Sequence, residues 1–144
     1  MSSYIGFLVL VLGLAVSSIS AQGFSQQWVG VRGQVFCGTS PANNTDIRLF
    51  NRNRIGFDDQ LAAVRSDANG NFQISGGQGA WFAVNARLRI YTSCNRRLPC
   101  DRVIDFGIPS QFVTRSNGVT NWYDLGVINL MTSTRGESTR CFGK

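Results

Sequence analysis

Four cysteines and thirteen arginines carry most of the chemistry this chain offers, and no histidine accompanies them. Imidazole is the side chain whose charge ordinarily changes near neutral pH, so its absence removes the common general base and most Ser-His or Cys-His nucleophile schemes. The remaining acid-base option is a pair of carboxylates. The one adjacent acidic pair is Asp58-Asp59. Neighbours on an extended strand point to opposite faces, so these two would not converge and are expected to mark a turn or strand entry. Asp67, Asn69 and Asn71 have the beginning of a calcium loop but lack its later oxygen ligands and its closing Glu. The chemistry therefore points to binding, with no catalytic residue, no metal and no cofactor expected.

The cysteines are Cys37, Cys94, Cys100 and Cys141. An even number in an exported chain implies two disulfides. Five residues separate Cys94 from Cys100, which favours their pairing in a small loop and leaves Cys37 for Cys141. A metal site is the weaker alternative, since there is no His and no C-x2-C pair. The net charge is +6, and the single Lys is Lys144. Arg presents a planar fork suited to phosphate, sulfate and carboxylate. Arg96, Arg97 and Arg102 flank the Cys94 and Cys100 pair, so together they are the expected site for an anionic lipid or glycan. Arg87 and Arg89 lie opposite Leu88 and Ile90, on a solvent face or a dimer channel. Nucleic acid is not expected, because the basic residues form no Lys cluster and no aromatic stacking set joins them.

Export is read from the amino terminus. Ile5 to Val16 is an apolar run, and small or polar residues follow to Ala21. That is the pattern of a secretory signal, residues 1–21, with cleavage before Gln22. The run is shorter than the roughly 20 residues that span a bilayer. The mature part, 22–134 with a polar tail 135–144, has the length of one domain. Asn43-Asn44-Thr45 is an acceptor pattern for N-glycosylation at Asn43.

These groups must be positioned by strands. Val29, Val31, Val35 and Cys37 recur with a period of two, as do Ile47 and Leu49, Phe72 and Ile74, Leu88 and Ile90, and Ile104, Phe106 and Ile108. Tyr123 to Met131 is apolar on both parities and should be buried more deeply. Asp67-Ala68-Asn69-Gly70-Asn71 predicts a tight hairpin. Asp58 to Arg65 is expected as a strand or irregular edge, and Ser110 to Val113 allows a single helical turn. Trp28, Trp81 and Trp122 are expected in the core or at its rim, with an exposed loop as the alternative for Trp81-Phe82. The class is an all-β sandwich of seven or eight strands.

Several elements in order resemble the nematode transthyretin-like family. They are Val31-Arg32-Gly33-Gln34-Val35-Phe36-Cys37, Ile47-Arg48-Leu49-Phe50, Asp67-x-x-Gly70-x-Phe72, Leu88-Arg89-Ile90-Tyr91 with Cys94, Ile108-Pro109, and Tyr123-Asp124-Leu125-Gly126. The resemblance spans about Val29 to Leu130 and implies a prealbumin-like, disulfide-stabilised β-sandwich secreted to extracellular fluid or the cell surface. Where the family often has His, this chain has Thr92, so no role of that His carries over. Hydrolases of 5-hydroxyisourate share the fold but depend on His and end in Tyr-Arg-Gly-Ser; this chain has neither feature. The expectation is a secreted carrier or adaptor for a small apolar ligand or an anionic lipid or glycan. It is a possible homodimer, with a matrix or cuticle component as the alternative.

Overall fold

The computed structural model describes residues 23–142, so the expected signal segment lies outside the described residues. Within them the chain forms nine strands and one short 3-10 turn, Ser110–Phe112. One sheet contains β1 (Ser25–Cys37), β2 (Ser40–Pro41), β5 (Asn71–Ala80) and β8 (Trp122–Asn129). β1 is its centre, antiparallel to β2 and β5 and parallel to β8. The second sheet runs β4 (Asp59–Arg65), β3 (Asp46–Asn51), β6 (Ala86–Thr92), β7 (Asp101–Gly107) and β9 (Ser138–Arg140).

The period-two apolar residues explain why the sheets stack. Val29, Val31 and Val35 from β1 and Phe72 and Ile74 from β5 form one inner face; Ile47, Leu49, Leu88, Ile90 and Ile104 form the other. All are buried, and each side chain removed from water contributes about 1.5–3 kcal/mol. Trp28 and Trp122 lie half-buried on the outer face of the β1 sheet, each over a glycine. A Cβ on Gly77 would meet the Trp28 ring at 2.6 Å, and one on Gly30 would meet Trp122 at 2.6 Å.

Two expectations change. The Asp67–Asn71 turn is tight, with the Asp67 carboxylate accepting from the Asn69 and Asn71 N–H groups at 2.9 Å. It is not a hairpin within one sheet, however; it carries the chain from β4 to β5, across the sandwich. Gly70 has φ of +80°, and a Cβ there would overlap the Val35 carbonyl oxygen, so only glycine fits. The strand from Trp122 is an edge rather than a buried strand, and Val127 is 69% exposed, because β8 has a ladder partner on one side only. The tail contributes β9 and closes the second sheet.

The disulfide pairing also differs. Cys37 bonds Cys94 and Cys100 bonds Cys141. The register explains the second pair. Asp101 opposes Arg140 in the antiparallel β7–β9 ladder, so Cys100 and Cys141 occupy the next rung. The first bond joins the end of β1 to the loop after β6, one sheet to the other. Short sequence separation favours Cys94–Cys100, but both cysteines face partners supplied by other parts of the fold. The closed loops span 57 and 41 residues. On the chain-entropy view each closure stabilises by roughly 4 kcal/mol. Replacing both Cys37 and Cys94 by Ser should therefore lower unfolding free energy by about 2–5 kcal/mol in urea titration. Non-reducing peptide mapping should recover Cys37 linked to Cys94, and a Cys94–Cys100 peptide would contradict the arrangement.

Candidate binding site at the disulfide end

The loop from Ser93 to Cys100 joins β6 to β7 and carries Arg96 and Arg97. Each of its cysteines is tied to another part of the sandwich. Inside the loop, the Arg96 N–H donates to the Ser93 carbonyl at 3.3 Å and the Cys100 N–H to the Arg97 carbonyl at 2.9 Å. The Asn95 side-chain amide donates to the Met131 carbonyl at 3.3 Å. The result is an exposed turn held by two covalent bonds, with Arg97 and Leu98 facing water.

The three arginines expected to act together separate into different roles. Arg97 has no carboxylate within ion-pair distance among the described residues. Arg96 is half engaged, bonding Asp101 at 2.9 Å. Arg102 is not displayed at all. Its residue is 6% exposed, because in β7 it shares the inward parity of Ile104. Its guanidinium donates to the carbonyls of Cys94 at 2.8 Å, Thr132 at 2.8 Å and Leu130, and to the Glu137 carboxylate. Arg102 thereby ties the Arg96–Arg97 loop, the segment after β8 and the tail into one knot.

Glu137, the sole Glu of the chain, escaped the sequence reading. It also accepts the Thr134 N–H at 3.2 Å. The hydrogen bond from Arg102 holds its carboxyl below the ordinary range, and the same bond raises the Arg102 pKa. The only sequence signal was a lone acid in a polar tail, which says nothing about a partner 35 positions away. Thr92 is buried, and its hydroxyl accepts the Cys94 N–H at 3.0 Å. It shapes the start of the loop.

Arg87 and Arg89 lie on the outer face of the second sheet, a placement that fits a solvent face and a dimer channel alike. Arg87 pairs with Asp105 at 2.8 Å, and Arg89 with Asp105 at 3.2 Å and with Asp58. The hydrogen bond from Arg89 lowers the Asp58 pKa. Asp58 accepts the Asn53 N–H at 3.0 Å and Asp59 the Asn53 side-chain amide at 3.1 Å, so both carboxylates fasten the turn that leads into β4. Tyr91 has two guanidinium groups over its ring, Arg48 at 4.8 Å and Arg140 at 4.3 Å. Asn43 is exposed in the turn before β3. No group of three candidate metal ligands occurs among the described residues.

A two-sheet sandwich with a cystine joining the sheets and an arginine-bearing loop at that cystine defines a disulfide-stabilised β-sandwich module. The family model described as the transthyretin-like family matches residues 32–109. Transthyretin-like protein 5 of Caenorhabditis elegans is 35% identical over 93% of this chain and 97% of its own length. Transthyretin-like proteins 33 and 2 of the same organism are 30% and 28% identical, over 86% and 98% of the chain and 88% and 99% of their own lengths. A solved 9R-lipoxygenase from Cyanothece covers 72% of the chain at 18% identity and TM-score 0.44, with 16% of its own length matched; that likeness is too loose to carry an argument. The chain belongs to the transthyretin-like family.

The knot makes two predictions. Arg102→Ala should cost about 3–5 kcal/mol, because Glu137 and three carbonyls lose a shared buried partner; thermal or urea unfolding measures it. Glu137 has a depressed pKa in the folded state, so its contribution is present above the unfolded carboxylate pKa. That contribution is lost as pH falls through the lower, folded value. Stability of the wild type should fall with acidification in that window, and the fall should be shallower in Glu137→Gln. Identical acid slopes in the two proteins would contradict the assignment.

Proposed function

We propose that this chain is a secreted, non-catalytic binding protein that serves outside the cell as a carrier or cell-surface adaptor. Its Arg96–Arg97 loop takes an anionic group, either a lipid phosphate or a sulfated glycan. The observation that carries the reading is how the charges are used. All eight acidic residues are engaged within the fold. Asp46, Asp58, Asp101, Asp105, Asp124 and Glu137 lie in ion pairs, while Asp59 and Asp67 accept hydrogen bonds. Each acid thus has a partner within the fold, and the chain has no histidine. The excess is cationic, and Arg97 is part of it.

A small apolar cargo is the less supported half of the reading. The groove of about 370 Å³ on the outer face of the β1 sheet has Arg32, Gln34, Gln73 and Asp124 among its walls. Those groups suit a polar ligand.

Purified protein applied to heparin and to vesicles containing phosphatidylglycerol tests the anionic site. Arg96→Ala/Arg97→Ala should elute from one of them at clearly lower salt than the wild type, since exposed charges act through screened Coulomb forces. Which matrix shows the change distinguishes the glycan from the phosphate. Unchanged elution from both would end the assignment of this loop.

A further inference from the structure

The groove on the outer face of the β1 sheet is shaped by a fault in the ladder. Arg32 opposes Asp124 and Gly33 opposes Gly126, so Leu125 is an extra residue in β8 and makes a bulge. Asp124 and Val127 are three positions apart, which in a regular strand would put them on opposite faces. The bulge brings both to the outer face, where they wall the groove, while Leu125 packs against the core. Gly126 takes φ of +79°, and the Asp124 carboxylate accepts its N–H at 3.1 Å. A Cβ on Gly33 would come within 3.0 Å of the Gly126 carbonyl oxygen. The groove so formed holds about 370 Å³, within the usual size range of small-ligand sites.

Planar polar groups stand along it in ladder rows. Arg32 lies beside Gln73, and Gln34 beside Asn71, on neighbouring strands of the same face. The Gln34 amide is fixed by donating to the Asn69 carbonyl at 2.8 Å. Asn71 and Gln73 are exposed, and their side-chain amides have no hydrogen-bond partner among the described residues. Arg32 and Asp124 stand 3.8 Å apart, close enough to offset each other's charge but too far for a hydrogen bond. Each therefore keeps hydrogen-bonding atoms for another partner. One same-face rung further along, Trp122 lies over Gly30 and adds an indole beside the polar groups.

These groups select the ligand. One cation beside one anion leaves the groove without net charge, so a free anion or cation gains little there. An apolar cargo would strip water from the amides and the guanidinium without replacing its hydrogen bonds. A zwitterion would have to part Arg32 from Asp124. A neutral carbohydrate meets none of these penalties. Its vicinal hydroxyls both donate and accept, as the amide, carboxylate and guanidinium edges together require. The C–H face of a sugar ring packs on an indole. The far end of the sandwich presents rings instead. There the buried Gln27 holds the β5–β6 loop, donating to the Phe82 carbonyl at 2.9 Å and accepting the Val84 N–H at 2.8 Å. Trp81 and Phe82 stand in water, as do Ile55 and Phe57 on the loop that carries Arg52 and Arg54.

We propose that the groove binds a neutral oligosaccharide, with one sugar unit hydrogen-bonded by Arg32, Asn71, Gln73 and Asp124 and the next packed on Trp122. The site shares no residue with the Arg96–Arg97 loop and stands even if that loop binds nothing.

Titration of the isotope-labelled protein with neutral oligosaccharides of glucose, N-acetylglucosamine, mannose and galactose, followed by amide NMR, tests the proposal. At least one series should shift the amides of Arg32, Gly33, Gln73 and Gly126 together with the indole N–H of Trp122. Asn71→Ala/Gln73→Ala should weaken that binding about tenfold, since hydrogen bonds from two side chains are lost. Its thermal unfolding should be unchanged, because both side chains are exposed. Arg96→Ala/Arg97→Ala should bind the same sugar as the wild type does, and added salt should leave the affinity unaltered. Equal affinity of wild type and Asn71→Ala/Gln73→Ala would overturn the proposal, as would shifts confined to the Arg96–Arg97 loop or to Trp81 and Phe82. So would tighter binding of glycylglycine, a zwitterion, than of any of the sugars, or a groove whose amides none of the series perturbs.

Discussion

Burial of two apolar sheet faces against each other is the constraint on which everything else in this molecule leans. The ladders hold strands within a sheet; the contact between sheets rests on side chains such as Val31, Ile74, Leu49, Leu88 and Ile104. Such a contact is strong but without direction, because the hydrophobic effect scales with area and not with register. Direction comes from features that cross the sandwich. The Cys37–Cys94 bond ties the end of β1 to the loop after β6. The Asp67–Gly70 turn is fastened to β1, where the Val35 N–H donates to the Gly70 carbonyl at 2.9 Å.

Polar residues do the finer positioning, and they are mostly inside. Arg102 and Gln27 are both on strands, both on the inward parity, and both at an end of the core. Each serves loop backbone that no strand ladder can serve. Arg102 fixes the cystine end and Gln27 the aromatic end. The two ends of one sandwich therefore carry different chemistry on equally well-held loops. The cystine end offers guanidinium groups on a covalently pinned turn, and the other offers rings and a branched aliphatic with arginines around them.

Charge distribution links the fold to its use. On the outer face of the second sheet, Arg48 pairs with Asp46 on its own strand, Arg87 and Arg89 with Asp105 across the ladder, and Arg89 also with Asp58, so ion pairs neutralise these arginines. Apart from Arg65 at the end of β4, the arginines without an ion pair among the described residues fall in the loops. Those loops lie at the ends of the sandwich, where backbone is irregular and side chains can be placed without breaking a ladder.

Much of this was legible in the residues themselves. The period of two in Val29–Cys37 and Leu88–Ile90 determined strands with one buried face, and the Asp-x-x-Gly-x-Phe run determined a tight turn, because local sterics and side-chain alternation require no distant partner. The missing histidine, the cystine count and the arginine excess were equally plain. What only tertiary structure decided were relations between distant positions. Spacing favours Cys94–Cys100, but strand register sets Cys100 against Cys141. Arg102 reads in the sequence as one more basic residue near Arg96 and Arg97; its parity with Ile104 turns it inward onto Glu137. Tyr123 to Met131 reads as a buried strand, yet its place at a sheet edge exposes Val127. In each case the deciding quantity is which strand lies alongside, and a chain read one residue after another does not contain its own neighbours across space.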